Sequence, residues 1–205
     1  VTNMVAEMIV RFGTVSQRSK YIPALASGEY FGGAFALSES GAGSDPASMT
    51  TRADRVDNGN DYVLNGQKMW ISTGDQAGVM VVWARTGEAG AKGISCFLVE
   101  EGTHGVSFGK PEEKMGLRAS HTVSVSFQDV HIPASNLLGQ LGEGFVLSVG
   151  RPSFLDLLAL LLGNLQLGAH RDVVRTRQLQ DRRHGDGISA VAPDEVEEHL
   201  VDLGE

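Results

Sequence analysis

Between residues 30 and 127 the chain is a series of short β-branched and aromatic runs parted by glycine-containing loops, with no helical periodicity between them. The runs fall at 30–37, 51–56, 62–64, 79–84, 94–99 and 122–127. Asp57-Asn58-Gly59-Asn60 separates two of them and is a strong turn sequence, so 51–64 predicts a hairpin. Strands this short, joined without crossover helices, predict a mainly β fold: an antiparallel β-barrel or sandwich flanked by short helical segments. At the front, Met4, Val5, Met8, Ile9 and Phe12 share one helical face and Gly13 is placed to end it. A second helix is predicted over 16–25, limited by Pro23 and Gly28.

The two ends read differently from the body. The start has no initiator methionine, basic leader or cleavage site, and reads as chain entered in its middle. Past Gly144 no lysine occurs, five arginines crowd 171–183, and 194–205 holds six acids without a lysine or arginine. Leucines at 155, 157, 158, 160, 161, 162, 165 and 167 suit a helix but surround its whole circumference.

Charge and cysteine usage narrow the function classes. With 25 acids against 17 bases the net charge is −8, which repels phosphate backbones and anionic membranes, so no nucleic-acid partner is expected. The longest apolar run, 154–162, is broken by Asp156 and is shorter than the roughly 20 residues a membrane helix needs. Cys96 is the one cysteine, so no internal disulfide can form, and within a strand it reads as a small buried hydrophobe in an intracellular, non-secreted protein. The six histidines show no metal-ligand spacing with one another or with Cys96, and no metal is expected. No serine stands in a nucleophile elbow, so triad hydrolysis has no support.

Three segments carry chemistry. In the first, Phe35-Ala36-Leu37-Ser38-Glu39-Ser40-Gly41-Ala42-Gly43-Ser44-Asp45, a strand runs into glycines that let backbone amides and hydroxyls approach a ligand. It is not a dinucleotide fingerprint, because Pro46 takes the place of the third glycine and no βαβ unit surrounds it. Plain turn chemistry is the other reading. In the second, Leu64-Asn65-Gly66-Gln67-Lys68-Met69-Trp70-Ile71-Ser72-Thr73-Gly74, a strand-end tryptophan is followed two residues later by a hydroxyl on the same strand face. Trp70 is either a stacking surface for a planar ring or a core aromatic. The third, Lys114-Met115-Gly116-Leu117-Arg118-Ala119-Ser120-His121-Thr122, reads by itself only as a loop entering a strand.

In this order the three segments resemble the acyl-CoA dehydrogenase family over residues 20–145. Tyr21-Ile22-Pro23-Ala24-Leu25-Ala26-Ser27-Gly28-Glu29 is similar to the stretch leading out of that family's N-terminal helical domain. The segments beginning at Phe35 and Leu64 resemble its flavin loops. Glu113 followed by the third segment, then Phe127-Gln128-Asp129-Val130-His131-Ile132-Pro133, Leu138-Gly139 and Gly142-Glu143-Gly144-Phe145, resemble the close of its middle β domain.

The resemblance implies FAD-dependent desaturation of an acyl-CoA thioester to a trans-2-enoyl-CoA. It implies flavin contacts from Phe35, Ala36, Leu37, Ser38, Gly43, Ser44, Trp70, Ile71 and Ser72, with Ser72 near the reactive flavin nitrogen, and acyl-CoA contacts from Ser44 and Ser120. It divides the chain into 1–29, part of a helical domain; 30–134, the β-barrel that binds flavin and acyl-CoA; and 135–205, a truncated or divergent helical tail. It further implies electron-transfer flavoprotein as electron acceptor, a homo-oligomer, tetrameric in intact members, and work in a bacterial cytoplasm or mitochondrial matrix. The tail departs from the pattern: Pro152 would interrupt the expected first helix, the catalytic residue stays unknown because most members carry the base in a segment absent from this sequence, and Asp156 is the one candidate within it. The alternative is a catalytically incomplete β domain that binds flavin or acyl-CoA weakly or only mediates subunit association.

Overall fold

Two helices open the chain. α1 (Thr2–Phe12) buries Val5, Met8 and Ile9, the face that the apolar spacing predicts. The Gly13 N–H closes it on Ile9 O, and a Cβ at Gly13 would lie 2.4 Å from that oxygen. α2 (Val15–Ser27) starts at a reciprocal cap, in which Thr14 Oγ1 accepts from Gln17 N and Gln17 Oε1 accepts from Thr14 N. It ends at Gly28, whose φ of 81° is left-handed. The helix runs on through Pro23, longer than the predicted 16–25, because Pro23 is exposed and the carbonyl its ring leaves without a donor belongs to exposed Ser19.

Eight strands follow in the computed structural model, which describes residues 1–56 and 61–149, all within the unit Val1–Arg151. They are β1 (Gly33–Ala36), β2 (Arg52–Arg55), β3 (Asp61–Ser72), β4 (Val79–Arg85), β5 (Ile94–Glu100), β6 (Val106–Phe108), β7 (Thr122–Pro133) and β8 (Leu137–Leu138). α3 (Gly144–Val149) closes the described part. The fold is mainly β, as the sequence predicts, and β2 and β3 pair antiparallel as the hairpin requires.

The word barrel fits it loosely. The sheet runs β6-β7-β3-β2-β4-β5-β8 and stays open, with β1 attached to β4 off this path. Two pairings are parallel: β1 lies along β4 from Gly33↔Val79 to Ala36↔Val82, and β2 meets β4 only at Arg52↔Arg85. β4 therefore gives one edge to two strands in succession. The chain between those strands, residues 37–51, emerges where the edge changes hands.

β4 is buried at all seven positions because it packs on both faces. Met80, Val82 and Ala84 join a core with Leu64, Phe97, Val123, Val125 and Phe127. Val79, Val81 and Trp83 face a second core with Val5, Ile9, Tyr21, Leu98 and Leu147, which seats the helices. Cys96 is fully buried there, and burial pushes its thiol well above the ordinary value, as expected for a packing residue. Trp83 Nε1 donates to Gly144 O at 2.7 Å, tying α3 to the sheet.

Candidate functional site

Residues 37–51 are wrapped around a buried ion pair. Lys68, 0% exposed, comes from β3, whose inward positions Tyr62 and Leu64 share its parity. Its Nζ donates to Glu39 Oε1 at 2.9 Å and to Leu37 O at 3.1 Å. Glu39 also accepts from Thr50 N, Thr50 Oγ1 and Thr51 N at 2.7, 2.8 and 2.9 Å. Burial alone would raise the Glu39 carboxyl, but Thr51, the Lys68 charge and Thr50 outweigh it and hold the pKa at about 2. Burial pulls Lys68 below its ordinary value, against the opposing Glu39 charge. The Glu39↔Ala42 bridge closes a tight turn within this loop, and the bond from Met69 N to Ser38 O, 2.9 Å, attaches the loop to β3.

Just beyond that attachment the strand is irregular. Its pairing with β7 shifts between Lys68 and Ile71, and Trp70 within the shift has φ 63°. The bulge turns the indole outward, 59% exposed, so Trp70 is no core aromatic. Ile71 is buried in the core, leaving only its backbone to meet a ligand. Thr73 (φ 57°) and Leu117 (φ 52°) share the left-handed conformation. Among the described residues, three of the four non-glycine residues with positive φ thus lie in the predicted segments, and such strain, of order 1–3 kcal/mol each, clusters at ligand sites in proteins generally.

The structure places the remaining predicted residues as follows. Phe35 packs on Trp83 with ring centroids 4.3 Å apart, and Ala36 is buried in the other core, so both face inward. Leu37 and Ser38 are half-buried; Gly43 and Ser44 are exposed, and a Cβ at Gly43 would meet nothing within 4 Å. Ser120 is exposed on the loop before β7. Within the described residues the hydroxyls of Ser38, Ser44, Ser72 and Ser120 make no hydrogen bond, leaving both donor and acceptor capacity to a ligand. Asp156 lies outside the described residues.

Sequence reasoning brought together the loop, the strand end and Ser120, but missed Lys68, Glu39, Asp75 and His121. Alternation along β3 was the signal for Lys68, since an even-numbered position after Tyr62 and Leu64 points inward. His121 and Asp75, whose side chains meet at 2.7 Å, are 46 residues apart and had no local signal.

An exposed indole, free hydroxyls and a loop tied to β3 by a buried ion pair suit a planar, polar ligand, and a flavin fits these residues. Residues 34–130 match the family model described as acyl-CoA dehydrogenase, middle domain. The chain is 45% identical over 148 residues to the mitochondrial short/branched chain specific acyl-CoA dehydrogenase of Bos taurus, covering 72% of this chain and 33% of that protein. Butyryl-CoA dehydrogenase from Megasphaera elsdenii aligns with a TM-score of 0.68 at 41% identity, over 71% of this chain and 38% of that one. An acyl-CoA dehydrogenase from Bacillus anthracis, solved in complex with FAD, aligns at 0.64 and 39% identity, over 69% of this chain and 24% of that one. The chain thus spans less than half the length of each of these relatives.

Proposed function

Because this chain belongs to the acyl-CoA dehydrogenase family through its middle domain, we propose that it binds FAD and an acyl-CoA thioester as the β-domain part of an α,β-desaturating enzyme. The observation that carries this reading is Trp70, an exposed indole held on a left-handed bulge between two segments with free hydroxyls.

Leu37, Ser38, Gly43 and Ser44 would hold the flavin by backbone and hydroxyl groups, with backbone contributions from Phe35, Ala36 and Ile71. Trp70 would pack on the ring, since an indole offers a large flat surface whose exposed area is covered by stacking. FAD, when bound, supplies the acceptor for the hydride lost from the thioester's β-carbon. Ser72 would donate a fixed hydrogen bond where negative charge develops, needing little reorganisation in the reaction. Ser44 and Ser120 would contact the acyl-CoA. Removal of the α-proton is assigned to Asp156 or to a residue of another segment. The flavin and thioester site would lie within 30–134, with 1–29 as a helical flank; of the predicted tail 135–205, the described part contains β8 and α3 and the rest lies outside the described residues. Electron-transfer flavoprotein as acceptor, a tetrameric whole enzyme and a bacterial cytoplasmic or mitochondrial matrix setting complete the reading.

The test is titration of the full chain with FAD, followed by anaerobic mixing with a panel of acyl-CoA thioesters. Flavin fluorescence quenched by the wild type, with roughly tenfold weaker binding by Trp70→Ala at unchanged melting temperature, is expected. Equal affinity in both proteins would overturn the role of Trp70, and no FAD binding at all would overturn the reading. Bleaching by a thioester would place a base within this chain; bound but unbleached flavin would mean binding without turnover.

A further inference from the structure

The turn that follows Ser72 and the loop that carries Ser120 are fastened to each other at two points. Ser72 pairs with Thr122 in the β3–β7 register, and just beyond it Thr73 N donates to His121 O at 2.8 Å. Next to that bond the His121 side chain reaches back, with Nδ1 2.7 Å from Asp75 Oδ2. The Asp75 side chain is 21% exposed and the His121 ring 35%, so the contact is only partly open to water. Asp75 Oδ1 is buried without a partner among the described residues, which leaves His121 as the hydrogen-bond donor to this carboxylate. A carboxylate so placed loses its compensation when one donor is removed.

The turn itself has little freedom. Gly78 N donates to Gly32 O at 3.1 Å, and a Cβ at Gly74 would lie 2.8 Å from Val123 Cγ2. The Ser120 loop is the more exposed partner: Met115 and Leu117 project into solvent, its base is closed by Glu112 N donating to Thr122 O at 2.9 Å, and its remaining ties are internal to it, from Ser120 N to Leu117 O, from Arg118 Nε to Lys114 O and from Lys114 Nζ to Ser120 O, besides the one from Lys114 Nζ to Thr122 Oγ1. The backbone bond from Thr73 N to His121 O fixes where the loop meets the turn, and the charge-assisted side-chain bond beside it fixes the orientation of the loop's end next to Ser120.

We propose that Asp75 and His121 are a positioning pair, holding the Ser120 hydroxyl in place relative to Ser72. The functional consequence rests on the flavin and thioester reading above: the pair fixes the separation of a flavin-side hydroxyl and a thioester-side hydroxyl without touching either ligand.

Hydrogen exchange over residues 113–121 of the full chain tests this. His121→Leu keeps bulk but removes the donor, whereas His121→Asn returns an amide N–H near the place of Nδ1. Roughly tenfold faster exchange in His121→Leu and in Asp75→Ala, no further increase in the double variant, and return towards wild-type exchange in His121→Asn are expected. Leu and Asn variants that exchange alike, or an Asp75→Ala segment that exchanges like wild type, would overturn the proposal. Titration of the same proteins with FAD and butyryl-CoA separates the two readings. A wild-type chain that binds neither ligand sinks the functional reading while the exchange comparison still decides the pair. Where butyryl-CoA binds, a dissociation constant at least fivefold higher for Leu than for Asn is expected, and equal constants would count against the pair.

Discussion

Lys68 carries an ammonium group into the interior of a sheet, and its worth lies in what its removal would strand. Breaking a buried pair from one side leaves an uncompensated charge, a loss of about 3–5 kcal/mol. Lys68→Met is therefore expected to lower the unfolding free energy by about that amount in a urea titration. Lys68→Met combined with Glu39→Gln should recover part of it, because no charge then remains buried; a double variant as unstable as the single would show that packing dominates. Acid gives a second test at the same residues. The Glu39 carboxyl has a folded value of about 2 against an ordinary 4.5, so its contribution is present above pH 4.5 and lost as pH falls towards 2. The shift corresponds to about 3 kcal/mol. Unfolding followed by tryptophan fluorescence should show that loss across this window in wild type and a shallower one in Glu39→Gln.

Among the elements, β3 and β7 form the longest pairing and the least regular one. The register shifts between Leu64 and Gly66 and again between Lys68 and Ile71. At the first shift Gly66 has φ 145°, and a Cβ there would lie 2.6–2.8 Å from Thr51 atoms, including the backbone Cα. Opposite, Asp129 has φ 48° and its N–H donates to Asn65 Oδ1 at 2.8 Å. Gly66→Ala combines an unfavourable backbone conformation with a clash, so a loss of about 3 kcal/mol is expected from the same titration; a neutral substitution would mean that Thr51 and the loop it anchors can move aside. These shifts also limited what alternation could reveal. The predicted strand 122–127 continues to Pro133, because a bulge at Gln128 and Asp129 breaks the alternation without ending the pairing. β6 escaped notice since three residues carry no period.

For the whole molecule, the site is an open border. Residues 37–51 lie between two strands that share the edge of β4, and Trp70 and the Ser120 loop are exposed beside chain segments that are otherwise packed. A ligand that binds only the folded state stabilises it by mass action. FAD at one hundred times its dissociation constant should add about 2.7 kcal/mol, a rise of roughly 5–10 °C in melting temperature for a domain of this size. Calorimetry showing no rise even at saturating FAD would mean that the folded domain does not bind flavin, and would overturn the reading.

What the sequence alone determined is what neighbouring residues decide among themselves. Apolar spacing specified α1, and β-branched runs marked β4 and β5. The order of three motifs pointed to the family. Tertiary structure decided whatever depends on residues distant in the chain: that β4 lends one edge to two strands and leaves the sheet open, that a bulge opposite β7 turns Trp70 outward, that Glu39 waits for Lys68 and Asp75 for His121. Local patterns encode which face a residue takes; only the meeting of segments 29 and 46 residues apart tells which partner it finds there.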